Sequence, residues 1–266
     1  MRADLLLLEK GLAPSRSAAA RLIERGAVRW RQATKPWQTP RKAGEDLPPG
    51  CELQVTDDAE LRWASRAGLK LEGALSALNL AVQDLTVLDV GQSTGGFTDV
   101  LLAQGARHVV GVDVGHGQLV PRLRADPRVA VYEGINARSL QPEHIASHLP
   151  PNGFDLIVGD LSFISQTLVW PALLPLMGSN AHLLMLVKPP FELQAQHIGK
   201  GGLVKPGAPV HEIEPRLRGV AQSLGLQVLA WLPSPILGGD GNAEYFILMQ
   251  PEAAHPSRAV RAEVST

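Results

Sequence analysis

The 266-residue chain reads as an α/β protein, a Rossmann-like domain with a mostly parallel sheet preceded by a small N-terminal α+β unit. Three observations carry that expectation. From Leu61 onward, β-like apolar runs alternate with helical patterns. The segment Leu88–Asp99 passes from a buried-strand pattern through a turn of small residues into an amphipathic helix, and Asp113 follows at the end of a second strand. The first 44 residues carry ten Lys and Arg against three acids, in a chain whose net charge is −1.

The N-terminal elements come first. Leu5 to Lys10 reads as a short helix stopped by Gly11. Ser15 is placed to cap a second helix, Arg16 to Arg25, which Gly26 ends, with Ala18, Ala19, Leu22 and Ile23 facing inward. A strand starts at Val28-Arg29-Trp30, and Cys51 to Val55 forms its partner after a stretch rich in Pro and charge. This unit is expected over 1–58, with a linker at 59–64. The main domain is expected over 65–250, with strands near 85–90, 107–112, 129–132, 154–159, 182–187, 226–232 and 244–249. Its helices are expected near 67–79, 97–104, 142–148, 166–177 and 209–224. Alternation of this kind gives a parallel sheet covered on both faces, with ligands at the carboxyl ends of its strands. The tail 251–266, rich in Pro, Ala and Ser, is expected to be disordered.

Composition excludes several classes. The single cysteine, Cys51, cannot form an internal disulfide, which fits a reducing compartment. No apolar run approaches the ~18 residues of a membrane helix, and the leucines at 5–8 are too few for a signal-peptide core. A cytoplasmic protein is expected. The basic excess of the first 44 residues is the footprint of a polyanion partner, with a solvated helix face as the plainer alternative. His108, His116, His197 and His211 have no metal-ligand spacing with Cys51, so no metal is expected.

The glycine turn points to a nucleoside. Its backbone N–H groups can approach a ligand closely, and a carboxylate about 20 residues on suits a ribose diol. A dinucleotide site calls for G-x-G-x-x-G, whereas this turn reads Gly91-Gln92-Ser93-Thr94-Gly95-Gly96, with Asp89 on the strand just before it. An acid there repels a pyrophosphate but attracts the cationic end of S-adenosylmethionine, so that cofactor is favoured over NAD. Its expected contacts are Asp89, Gly91, Ser93, Gly95, Gly96, Phe97, Asp113, Asn136 and Asp160. Asn136 is read either as meeting the adenine or as capping a turn.

Four charged residues fall where elements deliver them to one end of the sheet: Lys70, Asp160, Lys188 and Glu244. Methyl transfer to a ribose hydroxyl needs that hydroxyl stripped of its proton and aligned with the donor. A lysine can act as base only when neutral, which burial and a neighbouring cation favour. Lys188 is assigned as the base, Lys70 as the neighbouring cation, Asp160 as the group orienting Lys188, and Glu244 as the partner of Lys70. The alternative is two structural salt bridges.

The motifs SRAGLKL, LDVGQSTGGFTD, VDVGHGQL, DLSFIS, VKPPFE, GKGGLV and GNAEYF, in this order, resemble those of the TlyA family. The N-terminal pattern Gly11-Leu12, Ser15-Arg16, Ala19, Leu22-Ile23, Gly26 and Val28 is similar to the S-four-type (αL) RNA-binding domain. The family joins such a domain to an FtsJ-like methyltransferase domain. The resemblance implies 2′-O-methylation of cytidines in ribosomal RNA, ribosomal RNA or its subunits as partner, and a tetrad at Lys70, Asp160, Lys188 and Glu244. Family members are also called haemolysins. The resemblance makes Arg2, Arg16, Arg21 and Arg25 candidates for phosphate contact; Arg66 and Lys200 are added as RNA-contact candidates. The basic loop Gly199–Lys205 is expected to be either a lid that orders on RNA or a plain mobile loop. Departures are few: Pro190 stands where many relatives have Gln, Ala64 where valine is usual, and Gln92 at a variable turn position. The competing functions are a non-catalytic RNA-binding or assembly factor, a membrane-active cytolysin, and NAD-dependent redox chemistry.

Overall fold

The computed structural model describes residues 1–24, 26–56 and 61–252; Arg25 and the tail from 253 lie outside these, as do 57–60, across the expected boundary between the N-terminal unit and the linker. Two helices, α1 (Ala3–Glu9) and α2 (Arg16–Glu24), pack together and are followed by the antiparallel pair β1 (Val28–Arg31) and β2 (Glu52–Val55). The expected inward residues Ala18, Ala19, Leu22 and Ile23 are all buried, with Leu7, Val28, Leu47 and Cys51 completing a separate small core. Gly11 and Gly26 take positive φ, which lets the chain reverse directly after each helix.

The larger unit contains α3 (Ala67–Leu78), β3 (Thr86–Val90), α4 (Gly96–Ala103), β4 (His108–Asp113), α5 (Pro121–Arg124), β5 (Val129–Glu133) and β6 (Phe154–Gly159). It continues through α6 (Trp170–Leu173), β7 (Met177–Val187), α7 (Pro189–Glu192), α8 (Ile213–Ser223), β8 (Leu226–Pro233) and β9 (Tyr245–Pro251). Seven strands form one sheet in the order β5-β4-β3-β6-β7-β9-β8. β9 alone runs against its neighbours, antiparallel to both β7 and β8. All five residues of β3 are buried, as expected of a central strand covered on both faces. Alternation sends Leu88 and Val90 into one core layer with Ile157, Trp170 and Met185, and Val87 into the other with Leu71, Phe97 and Leu101.

Several expectations are corrected. The helix expected near 166–177 is broken into α6 between two 3₁₀ turns, because Pro171 and Pro175 lack the N–H a continuous helix needs. β7 begins at Met177, five residues before the expected start, its turn-like Gly-Ser-Asn composition notwithstanding. The helix expected near 142–148 is a 3₁₀ turn, Pro142–Ile145. Pro251, expected to open the tail, instead closes β9 opposite Leu226. Among the described residues, no helix is long and apolar enough to cross a membrane.

Asp4 anchors the N-terminal unit. Its side chain is only 4% exposed and accepts from Arg2 at 3.0 and 2.9 Å, from Arg16 at 3.3 Å and from the Leu5 amide at 2.9 Å. Hydrogen bonding from Arg2 outweighs desolvation, and with Arg16 and the Leu5 amide it holds the Asp4 carboxyl down at about 2. A folded-state value below the ordinary one stabilises the fold above about pH 4, and that contribution is lost as pH falls through about 2. Asp4→Asn is therefore expected to cost about 1–3 kcal/mol at pH 6. Thermal melts of the full chain should show the gap to wild type closing between pH 4 and pH 2.

Candidate active site

Strand order reverses at β3: β4 and β5 lie to one side, β6 and β7 to the other. At such a switch point the connections leave in opposite directions and open a crevice at the carboxyl ends. A cavity of about 580 Å³ lies there. Its wall takes Gly91, Gln92 and Ser93 from the turn after β3, Asp113 from the end of β4, Asp160 after β6 and Lys188 after β7.

The turn is shaped by close approach. Gly91 has φ +84°, and a Cβ there would lie 2.6 Å from the Asp160 carbonyl oxygen. A Cβ on Gly96 would meet the Ser65 hydroxyl. Ser93 has φ +48°, and its amide donates to Asp113 at 2.7 Å. The Gly115 amide donates to the other Asp113 oxygen at 2.7 Å. Asp113 is thus locked at the rim, and a carboxylate with two engaged lone pairs retains two for a ribose diol. Asn136 lines the cavity and caps the following 3₁₀ turn by accepting from the Arg138 amide, the second of the two roles expected for it.

Two expected cofactor contacts are not in the wall. Gly95 is turned toward Leu119 and Leu123. Asp89 is fully buried beneath the turn, since its strand position points it inward. Thr98 donates to its Oδ2 at 2.7 Å, while its Oδ1 has no hydrogen-bond partner. Burial above all, with Asp160 and Asp113 adding repulsion, pushes the Asp89 carboxyl up to about 7. A buried acid orphaned beside a cavity favours a cationic ligand there.

The four charged candidates come together as two contacts. Lys188 Nζ lies 2.5 Å from Asp160 Oδ1 and donates to Ser162 Oγ at 2.9 Å. Lys70 Nζ lies 2.5 Å from Glu244 Oε2, with both side chains under 10% exposed. Burial raises Glu244 above the usual carboxylate range; Lys70 opposes this most strongly, and the charges of Lys188 and Asp160 reach it too. Lys188 and Asp160 face the cavity; Lys70 and Glu244 lie behind its wall. The antiparallel β9 explains Glu244: Tyr245 pairs with Val187, so the residue before β9 arrives beside Lys188. Gly73 on α3 leaves room for Pro235 of the β8–β9 connection, which presses that connection onto the helix carrying Lys70.

Sequence reasoning missed three features. Glu192, its side chain 1% exposed, accepts from Ser165 Oγ, the Gln166 amide and Arg216 at 2.6–2.8 Å, tying the loop after β6 to α7 and α8. Its place in VKPPFE, one turn after Lys188, was the available signal. Phe163 lines the cavity mouth, is 90% exposed, has φ +63° and contacts the Phe191 ring at 5.1 Å. An aromatic held out in a left-handed backbone costs about 1–3 kcal/mol and marks a ligand-facing position. Ser65 also lines the cavity, under Gly96.

The RNA candidates fare differently. Arg2 and Arg16 are committed in part to Asp4, although each remains about half exposed, and Arg25 lies outside the described residues. Arg21 is in the last turn of α2. Arg66 donates to the Leu237 carbonyl at 3.0 Å, joining the start of α3 to the β8–β9 connection. Lys200 is exposed, and its loop is tied to Asn242, which accepts from the Val204 amide and donates to the Gly202 carbonyl, each at 2.9 Å. The loop expected to be either a lid or a plain mobile segment is joined by these bonds to Asn242, just before β9.

A sheet of this order, a glycine turn at its switch point, an acid locked at the end of β4 and two lysine–carboxylate pairs are the arrangement of a Rossmann-like methyltransferase. Residues 63–250 match the FtsJ-like methyltransferase family, and residues 1–29 match the S4 domain. The chain is 45% identical over 255 residues to the "16S/23S rRNA (cytidine-2'-O)-methyltransferase TlyA" of Mycobacterium tuberculosis, covering 94% of this chain and 89% of that one. It is 34% identical to "Hemolysin A" of Brachyspira hyodysenteriae, over 92% of this chain and 98% of that one. The solved structure described as "Putative hemolysin from Streptococcus thermophilus" superposes with a TM-score of 0.71 at 37% identity, covering 97% of this chain and 92% of that one. The chain belongs to the TlyA family of FtsJ-like methyltransferases with an N-terminal S4 domain.

Asp89 yields a test of the site's electrostatics. A carboxyl raised to about 7 contributes stability below its unfolded value that is lost as pH rises through about 7. The melting temperature of the cofactor-free chain is expected to fall between pH 4 and pH 7, and Asp89→Asn should flatten that fall. Parallel slopes for the two proteins in a pH series of thermal melts would contradict the assignment.

Proposed function

We propose that the protein is an S-adenosylmethionine-dependent ribosomal RNA methyltransferase that modifies the 2′-hydroxyl of cytidine ribose. The paired Lys188–Asp160 contact at the cavity wall, backed by Lys70–Glu244, is the observation that supports this reading most strongly. The M. tuberculosis relative, a 16S/23S rRNA (cytidine-2'-O)-methyltransferase, supports the substrate. In this reading residues 1–58 hold the RNA, 59–64 link the two units and 65–250 carry out the chemistry on ribosomal subunits in the cytoplasm.

The cavity fits the donor. Gly91 and Gly96 leave space that a Cβ would fill, and Asp113 is locked at the rim for the ribose diol. Asn136, in the cavity wall, would meet the adenine, and buried Asp89 biases the site toward a cation. When bound, S-adenosylmethionine supplies an electrophilic methyl on a sulfonium. The chain's residues do the rest. Lys188, steered by Asp160 and Ser162, takes the proton from the 2′-hydroxyl. Lys70 sets a second positive charge behind that site, and Glu244 holds Lys70 in place. Phe163 offers an aromatic face at the cavity mouth on which the target base stacks.

The decisive experiment incubates the protein with labelled donor and separated ribosomal subunits and maps the label. Label on cytidine ribose is expected; label on a base would overturn the reaction assigned. Lys188→Ala should lower turnover at least 10²-fold while retaining RNA binding. Phe163→Ala should raise KM for RNA about tenfold, as loss of a base stack does, with donor affinity changed far less. Unchanged methylation by Lys188→Ala would leave a non-catalytic role for the tetrad.

A further inference from the structure

A second charged surface lies away from the cavity, on the outer face of the β1–β2 sheet. The register pairs Arg29 with Gln54 and Arg31 with Glu52, so these four share one face. Val28, Trp30, Leu53 and Val55 take the opposite face and join the small core. Gln38 forms a bridge with Trp30 on the other edge of β1, each amide donating to the other's carbonyl at 2.8 Å. Directly opposed residues share a face, so Trp37, one position earlier, falls with Arg29 and Arg31. The guanidinium carbons lie 4.8 and 4.6 Å from its ring centroid.

This cluster has the chemistry of an anion-reading surface. Arg29 Nε and a terminal nitrogen donate to the neutral Gln54 oxygen at 3.0 and 2.8 Å, so its hydrogen-bonded partner leaves its charge uncancelled. Arg31 shares Glu52 at 2.7 Å. A guanidinium stacked on an indole keeps the N–H groups on its edge, and each has five donors in all. Holding the side chains in place beforehand lowers the entropy lost on binding. Exposed Lys35, Arg41 and Lys42 follow in the same connection. Residues 30–62 fall between the two family matches, so neither family assigns most of this surface.

We propose that Arg29, Arg31 and Trp37 form an RNA-backbone contact surface of the N-terminal unit, distinct from the α1–α2 helix pair. The arginine edges bind phosphates, and Trp37 braces them. The proposal rests on the reading of this chain as a ribosomal RNA methyltransferase. An acidic protein partner is the competing occupant; the concentration of basic charge in the same unit of an enzyme acting on RNA favours the nucleic acid.

The test measures binding of full-length protein to purified 16S ribosomal RNA across a KCl series. Losing two phosphate contacts is expected to reduce the slope of log K against log salt by about 1.4–1.8. Arg29→Gln/Arg31→Gln should show that drop and bind about tenfold more weakly near physiological salt. Trp37→Leu should weaken binding a few-fold, with a smaller change in slope. Glu52→Gln, which frees Arg31 of its acid, should tighten binding about two- to threefold, a gain that misfolding cannot imitate. Donor binding by calorimetry should be the same in every variant. An unchanged slope in the double variant together with unchanged affinity in Glu52→Gln would overturn the proposal. A wild-type chain that neither binds nor methylates the RNA would instead sink the functional reading beneath it.

Discussion

Two lysine–carboxylate contacts placed side by side at one end of the sheet are the feature on which the rest depends. Lys70–Glu244 is almost wholly removed from water, and Lys188–Asp160 is close behind it. Burying charges carries a desolvation penalty of several kcal/mol per ion, and their mutual attraction rarely returns more than it costs. Apolar residues of similar volume would hold the fold as well or better. The cluster therefore makes sense as chemistry, since a low-dielectric pocket magnifies what each charge does to its neighbour. Burial raises Glu244 above the usual carboxylate range against the pull of Lys70, and the charges of Lys188 and Asp160 also reach it.

The topology makes that unit possible. The parallel strands β3, β4, β6 and β7 all end at the same edge, where the turn after β3 and the ends of β4, β6 and β7 build the cavity. A seventh strand running in the same sense would have carried Glu244 to the far edge. Because β9 runs backward, its first residue pairs with the last of β7, and the preceding glutamate lands where the lysines are. Around this frame the chain uses buried acids as clamps. Glu192 holds the loop after β6, and Asp99 fixes the linker end through the Ala64 amide at 2.7 Å while pairing with Arg122. Rigid support of this kind keeps reacting groups aligned.

Much of this was legible in the sequence. Short, nearly continuous apolar runs such as Thr86–Val90 and Phe154–Gly159 announced themselves, and so did the turn Gly91–Gly96, because few sequences satisfy both a buried strand and a run of small residues. The tetrad residues could be picked out because each sits at the end of an apolar run or on the helix leading in. What sequence could not give was direction and depth. Asp89 was read as a ligand contact, yet a side chain's in-or-out orientation on a central strand depends on the layer above it. The helix near 166–177 failed at its two prolines, a local signal overruled by apolar periodicity. The clamps made by Glu192 and Asn242 join residues 24 to 40 positions apart, and no local pattern encodes such a contact.

The central claim is spatial and can be put to one measurement: a crystal structure of the protein with S-adenosylhomocysteine and a cytidine-containing ribosomal RNA fragment. The account expects the donor's sulfur beside the Gly91–Gly96 turn and the ribose 2′ oxygen within about 3 Å of Lys188 Nζ. A ribose oxygen that meets neither lysine, or a donor bound away from the carboxyl ends of β3 and β4, would contradict it.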